Sequence, residues 1–174
     1  ALLDAVIERI PAPKGDPGSP LQALIFDSQY DQYRGVVSSI RVMNGVLRTG
    51  EKLLFMQAGT QQEAIEIGVR RPVTTPVPEL GPGEVGYLIA GIKDVHDTKV
   101  GDTITSSSRP APAPLPGYKD VKPMVFSGMY PTNAEDFEDL RASIEKLQLN
   151  DSALIYEPET STARMRALLA ELRE

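Results

Sequence analysis

The 174-residue sequence has no cysteine and no tryptophan, and it has one histidine, His96. Without cysteine there can be no disulfides, thiolate zinc sites, iron–sulfur clusters or thiol nucleophiles, and the lack suits a reducing compartment. His96 lies between Asp94 and Asp97 in a stretch expected to be a solvent-facing loop. A single imidazole with no support in nearby sequence makes a histidine-based metal site or a Ser-His-Asp triad hard to build. No apolar run approaches the roughly 20 residues a membrane-spanning helix needs. The first ten residues carry Asp4, Glu8 and Arg9 and lack the layout of a signal peptide. The phosphate-cradling pattern Gly-x-x-x-x-Gly-Lys-Ser/Thr does not occur, and Gly81-Pro82-Gly83 reads as a turn between strands rather than a nucleotide loop. The net charge of −6 argues against a generic nucleic-acid coat. The acidity is spread evenly, with 10 basic and 13 acidic side chains in residues 1–105 and 8 and 11 in the rest.

What is present is turn-rich and apolar enough to fold, with 14 glycines, 15 prolines and 41% hydrophobic residues. Leu3, Val6, Ile7 and Ile10 share one face of a short opening helix. Residues 11–20 contain Pro11, Pro13, Pro17 and Pro20 and end that helix. Residues 1–17 therefore read as the tail of a preceding unit and a Pro-rich strap. From residue 18 to 106 the pattern is β: Leu21–Asp27, Gly35–Met43, Lys52–Met56, Glu63–Val69, Gly83–Ile92 and Val100–Thr105, separated by Gly and Pro turns. Asn44-Gly45 between apolar runs predicts a hairpin. Short strands at near-regular spacing predict a small closed β-barrel. Residues 107–117, with Pro110, Pro112, Pro114 and Pro116, predict an extended, semi-rigid linker.

Residues 118–174 change character. Val121–Met129 and Ala153–Tyr156 read as strands. Thr132 with Glu135 forms a capping-box pattern before a helix whose stripe is Phe137, Leu140, Ile144 and Leu147. The acidic cluster of Glu135, Asp136, Glu138 and Asp139 is explained by helix-start electrostatics, with no need of catalysis. Ala163–Leu172 predicts a further helix. Strand–helix–strand–helix implies a small α+β layer.

No constellation in the chain makes an enzyme on its own. Between Arg34 and Lys52 there are four basic residues, Arg34, Arg41, Arg48 and Lys52, against one acidic residue, Glu51, and Tyr30 and Tyr33 precede them. A basic rim with flanking tyrosines suits an RNA backbone, since guanidinium pairs with phosphate in bidentate fashion. The same six residues also suit the solvated outer face of a barrel.

Three groups of segments carry a family resemblance. The first is Glu8–Pro17, Leu21–Ser28, Tyr30, Asp31 and Tyr33–Val37. The second is Gly83–Tyr87, Ile89–Val95 and Val100–Thr105. The third is Lys122–Phe126, Leu147–Asp151 and Tyr156–Ser161. Together they closely resemble the LepA-type translation elongation factors, back-translocating ribosomal GTP hydrolases similar to elongation factor G. The resemblance covers roughly residues 1–161. It implies the end of a G domain before a barrel second domain, followed by part of a ferredoxin-like third domain. It also implies that the barrel faces small-subunit ribosomal RNA, that the third domain lies between the subunits, and that the G domain and C-terminal domains of a full-length parent are further partners. GTP and Mg would belong to that parent. No cofactor is expected in these residues, which lack the GTP-binding motifs. The parent is expected in the cytoplasm, where peripheral membrane association is compatible with the family. After Ser161 the sequence departs from the family and predicts helix in place of a Gly- and Phe-rich strand. That departure and the acidic balance motivate an alternative: a freestanding protein-interaction adaptor derived from such a barrel, without a nucleotide switch.

Overall fold

The computed structural model describes residues 2–92, 98–116, 124–149, 151 and 154–158. It is mostly β, with two helices. Helix α1, Leu2–Arg9, stops before Pro11 and leaves its apolar face exposed, with Leu2, Leu3 and Ile7 each about three-quarters accessible. The strands that follow are β1 (Gln22–Asp31), β2 (Gly35–Asn44), β3 (Leu47–Arg48), β4 (Lys52–Phe55), β5 (Gln61–Glu63), β6 (Glu66–Arg70), β7 (Thr74–Pro76), β8 (Glu79–Leu80), β9 (Val85–Ile89) and β10 (Thr103–Ser106). Helix α2 spans Phe137–Gln148.

The inward residues of these strands, among them Ile25, Ile40, Leu53, Phe55, Ile67 and Ile104, are fully buried in one core. A register shift between Ile25 and Asp27 turns Ser28 inward, where its hydroxyl donates to Ser38 Oγ at 3.3 Å. The expected alternation of Ile65, Ile67 and Val69 fails at its first member. The strand breaks at Ala64 and Ile65, so Ala64 enters the core and Ile65 faces out.

That break also corrects the expected closed barrel. Eight strands pair antiparallel in the order β5-β4-β10-β1-β2-β9-β6-β7, and β3 pairs only with β8. Among the described residues the ladder does not return on itself. Its β4 and β9 sides are joined by the chain, because β5 pairs with β4 and then, across Ala64 and Ile65, the next residues pair with β9 as β6. Single hydrogen bonds, Ile65 N–H to Ile89 O and Ala64 N–H to Glu51 O, stitch this crossing. The sheet is barrel-like but not a continuous hydrogen-bonded ring. Sequence reading also passed over β7 and β8, which are only three and two residues long.

Asn44-Gly45 does not make a hairpin. Gly45 has φ +71°, as a turn there requires, but a Cβ on it would lie 2.6 Å from the Leu21 backbone. Its N–H donates to Asp16 O at 2.9 Å. The turn receives the Pro-rich strap, and β3 leaves for β8. Asp16 organises that strap by accepting from Gly18 N–H and Ser19 Oγ. Bonds from Ser19 first and Gly18 second hold its carboxyl below the usual range. The linker expected to space two domains lies back over β10. Ala111 N–H donates to Thr105 Oγ1 and Leu115 N–H to Thr103 Oγ1, while Gln22 Nε2 donates to Ala113 O. Arg109 donates to Gly18 O at 3.0 Å, joining linker to strap.

The ferredoxin-like layer expected over 118–174 has no sheet among the described residues. Residues 124–129 and 154–156, read as strand, are irregular. Met124, Val125 and Phe126 are almost fully exposed, and a strand without a partner leaves its backbone groups unpaired. The capping box at Thr132 is not formed either. A 3-10 turn over Ala134–Asp136 precedes α2, whose N-cap Asp136 makes no capping bond, so the helix starts five residues past Thr132. Phe137 and Leu147 of the expected stripe are about half exposed. Among the described residues of this part, Leu149, just past α2, reaches the barrel core. His96, Val121 to Pro123, Ala153 and the expected helix at 163–172 lie outside the described residues.

Candidate nucleic-acid interface

The turn between β1 and β2 is built by one carboxylate. Asp31 Oδ1 accepts from the N–H groups of Tyr33 (2.8 Å) and Arg34 (3.0 Å). This Asx turn fixes the next residues without any ladder pairing. Those two bonds, Tyr33 first, hold the Asp31 carboxyl below its ordinary value. Gly35 then takes φ +73°, and a Cβ there would lie 2.7 Å from Ile92 O. The turn throws Tyr33 outward, 95% exposed, and leaves the Arg34 side chain about half exposed.

Behind this tip the outer face of β2, β9 and β6 carries a linked set of polar side chains. Arg34 Nη1 lies 3.8 Å from Glu66 Oε1, and Tyr87 Oη donates to that same oxygen at 2.7 Å. The Tyr87 ring covers Gly68, where a Cβ would meet Cε1 and Oη at 2.5 Å. Burial first, then the bond to Glu66, raises the Tyr87 phenol to about 12. Arg70 Nη1 donates to Ser39 Oγ at 3.1 Å. Between the hairpin and β7 these groups line a cleft of about 180 Å³, with Tyr30, Arg34, Arg70, Thr74 and Tyr87 on its walls. Lys146 of α2 stands 5.2 Å from the Tyr30 ring centroid, at cation–π range. Arg34 and Arg70 thus share the cleft walls with Tyr30, Lys146 stands beside the Tyr30 ring, and Asp31 orients the tip. Guanidinium donors beside exposed aromatic faces are chemistry for binding phosphate and base rather than for bond breaking.

The six residues singled out from sequence do not form one surface. Tyr30, Tyr33 and Arg34 come together at the hairpin tip. Arg41 faces out farther along β2, in register with Leu24 and Val85. Arg48 pairs with Glu79 at 3.3 Å and lines a separate cleft of about 220 Å³ with Ser19, Ser106, Ser108 and Arg109. Lys52 sits on β4 opposite Glu63. Arg70, Tyr87 and Glu66 were missed because they are near the hairpin only through strand pairing. Among the described residues no group of three or more His, Asp or Glu is placed to hold a metal ion.

The chain is also similar to proteins of known family. Residues 35–105 match the family described as elongation factor Tu domain 2. Over 162 residues, 93% of the chain, the sequence is 55% identical to elongation factor 4 of Sorangium cellulosum (strain So ce56). It is 54% identical over the same length to that of Staphylococcus haemolyticus (strain JCSC1435) and 53% to that of Staphylococcus aureus (strain JH1). The chain is similar to elongation factor 4 along nearly its whole length. It spans only about a quarter, 27%, of the length of these curated relatives. The resemblance to LepA-type factors stated from the motifs is thus matched by identity along nearly the whole chain.

Proposed function

We propose that this chain is the ribosome-docking segment of a cytoplasmic, GTP-dependent translation factor, and that its barrel meets small-subunit ribosomal RNA through the β1–β2 tip. Residues 18–106 form the docking barrel, 1–17 the end of a G domain with its strap, 107–117 the link to the next unit and 118–174 part of a ferredoxin-like third domain at the subunit interface. GTP and its Mg belong to the full-length parent, a GTP hydrolase acting on the elongating ribosome in back-translocation. No helix among the described residues is long and apolar enough to cross a membrane; peripheral membrane association of the parent is part of this proposal. Of the six basic and aromatic candidates, Tyr30, Tyr33 and Arg34 carry the contact, with Arg70 beside them; Arg41, Arg48 and Lys52 stand farther off as weaker phosphate contacts. The supporting observation is the exposed Tyr33–Arg34 tip, held by Asp31 above a cleft with a second arginine, in a chain 55% identical to elongation factor 4.

The test is co-sedimentation of the purified chain with small ribosomal subunits over a salt series. Binding should weaken as salt rises, with a log–log slope growing by roughly 0.7–0.9 per phosphate contact. The pair Tyr33→Ala and Arg34→Ala should reduce both affinity and slope. No binding at low salt, or an unchanged slope in the double variant, refutes docking through this tip. Capture of proteins with no ribosomal RNA would favour the adaptor reading.

A further inference from the structure

The Glu66 carboxylate is an odd neighbour for an RNA-facing arginine, because a negative charge beside the contact should repel phosphate. Its geometry gives it a different role. The 3.8 Å separation between Glu66 Oε1 and Arg34 Nη1 is inside ion-pair range but too long for a hydrogen bond. Glu66 therefore attracts the guanidinium without occupying its N–H donors. Glu66 is itself held, since the same oxygen accepts the Tyr87 hydroxyl at 2.7 Å. Tyr87 is 1% exposed, and its ring fits over the bare face of Gly68, so the anchor is rigid. From the core outward the order is a buried ring, a fixed carboxylate, and a half-exposed arginine at the mouth of the cleft.

We infer that Glu66 is a positioning residue for Arg34, anchored by Tyr87, and pre-orders the guanidinium for an RNA phosphate. This rests on the docking reading above. A long, free arginine must lose rotamer freedom on binding, and partial ordering in the unbound protein lowers that cost. Neither Glu66 nor the Tyr87 hydroxyl need touch RNA for this.

The discriminating variant is Glu66→Gln, measured by affinity for small ribosomal subunits at fixed salt. Charge removal alone predicts tighter binding. Positioning predicts the opposite sign, a loss of roughly two- to fivefold, the range expected for a half-exposed ion pair. The loss should vanish in an Arg34→Ala background, because nothing is left to position. Tyr87→Phe should weaken binding in the same direction and also only when Arg34 is present. In the RNA-free protein, the Arg34 Nε–Hε group should gain mobility by NMR relaxation in both variants, a readout that does not depend on RNA. Tighter binding by the Glu66 variant, or equal losses with and without Arg34, overturns the inference while leaving docking intact. If Arg34→Ala itself binds as well as the unmodified chain, the docking reading fails and the inference falls with it. Should Glu66→Gln not fold, judged by circular dichroism, the Tyr87→Phe pair of measurements decides in the same way.

Discussion

Replacing Asp102 by alanine should cost the barrel about 3–5 kcal/mol. Asp102 is fully buried, and its carboxylate accepts from three backbone amides. Oδ1 accepts from Gln57 N–H at 2.8 Å and from Thr103 N–H at 2.6 Å, and Oδ2 accepts from Ala58 N–H at 3.1 Å. The acidic group thus closes the turn after β4 against the start of β10. A buried donor left without its acceptor costs roughly 1–3 kcal/mol. Gln57 and Ala58 lie near the surface, where water can replace part of the loss, so they are weighted at about 1 kcal/mol each. The buried Thr103 amide is weighted higher. For a unit of about 100 residues, a loss of that size lowers the melting temperature by roughly 12 °C or more. Asp102→Asn is the sharper variant. It can keep the oxygen facing Gln57 and Thr103 but sets an amide NH2 against the Ala58 N–H, so its cost should stay near 1–2 kcal/mol. Urea denaturation followed by circular dichroism, with an unchanged m-value, measures both. An alanine variant within about 0.5 kcal/mol of the parent chain, or asparagine as costly as alanine, would refute this accounting.

Two further outcomes follow from the face behind the hairpin. The Tyr87 phenol is raised to about 12 by burial and by Glu66. The folded state holds that proton more tightly than the unfolded chain, so the associated stability, about 2–3 kcal/mol, is present below pH 10 and lost as pH rises from 10 to 12. Alkaline titration of tyrosine absorbance should show a late phase that Tyr87→Phe removes; titration of Tyr87 with the exposed tyrosines would contradict the buried hydrogen bond. Gly68→Ala puts a Cβ at 2.5 Å from both Tyr87 Oη and Thr75 O. It should destabilise by about 1–3 kcal/mol and advance the late phase, whereas a neutral effect in a urea melt would mean that the ring does not lie on the glycine.

The sequence made the β character of residues 21–105 legible because its strands alternate or run apolar between Gly and Pro turns. Strand ends and partners were less legible. Asn44-Gly45 has the chemistry of a hairpin, but Asp16 bonds Gly45 from 29 positions away, and no local pattern reports that. Ile65 sits in an alternating run, yet the chain crosses between two pairing partners there, and the crossing reverses which side faces the core. Over 118–174 the amphipathic stripe marks α2, whereas the apolar runs at 124–129 and 154–156 have the composition of strands but no pairing partner among the described residues. At the candidate interface, the aromatic and basic residues adjacent in sequence, Tyr30, Tyr33 and Arg34, were found. Arg70, Glu66 and Tyr87 join them only through the pairing of β2 with β9 and of β9 with β6, which composition does not encode. The basic count from Arg34 to Lys52 misled for the converse reason: Arg48, although close in sequence, leaves with β3 for another side of the barrel.

The linkage of strap to linker bears on how the chain acquires its fold. β1 pairs with β2 at once but finds its other neighbour, β10, only when Ile104 comes opposite Ala23. Gln22 and Ala113 stand 91 positions apart, as do Gly18 and Arg109. Contacts this distant in sequence must close a large loop before they stabilise anything, which makes the last step slow. During ribosomal synthesis the β1–β2 hairpin would form early and wait, with one flank of β1 unpaired, until the prolines after residue 109 had emerged. Those prolines then have a kinetic part to play: the segment they stiffen is the one that bolts the first strand to the last.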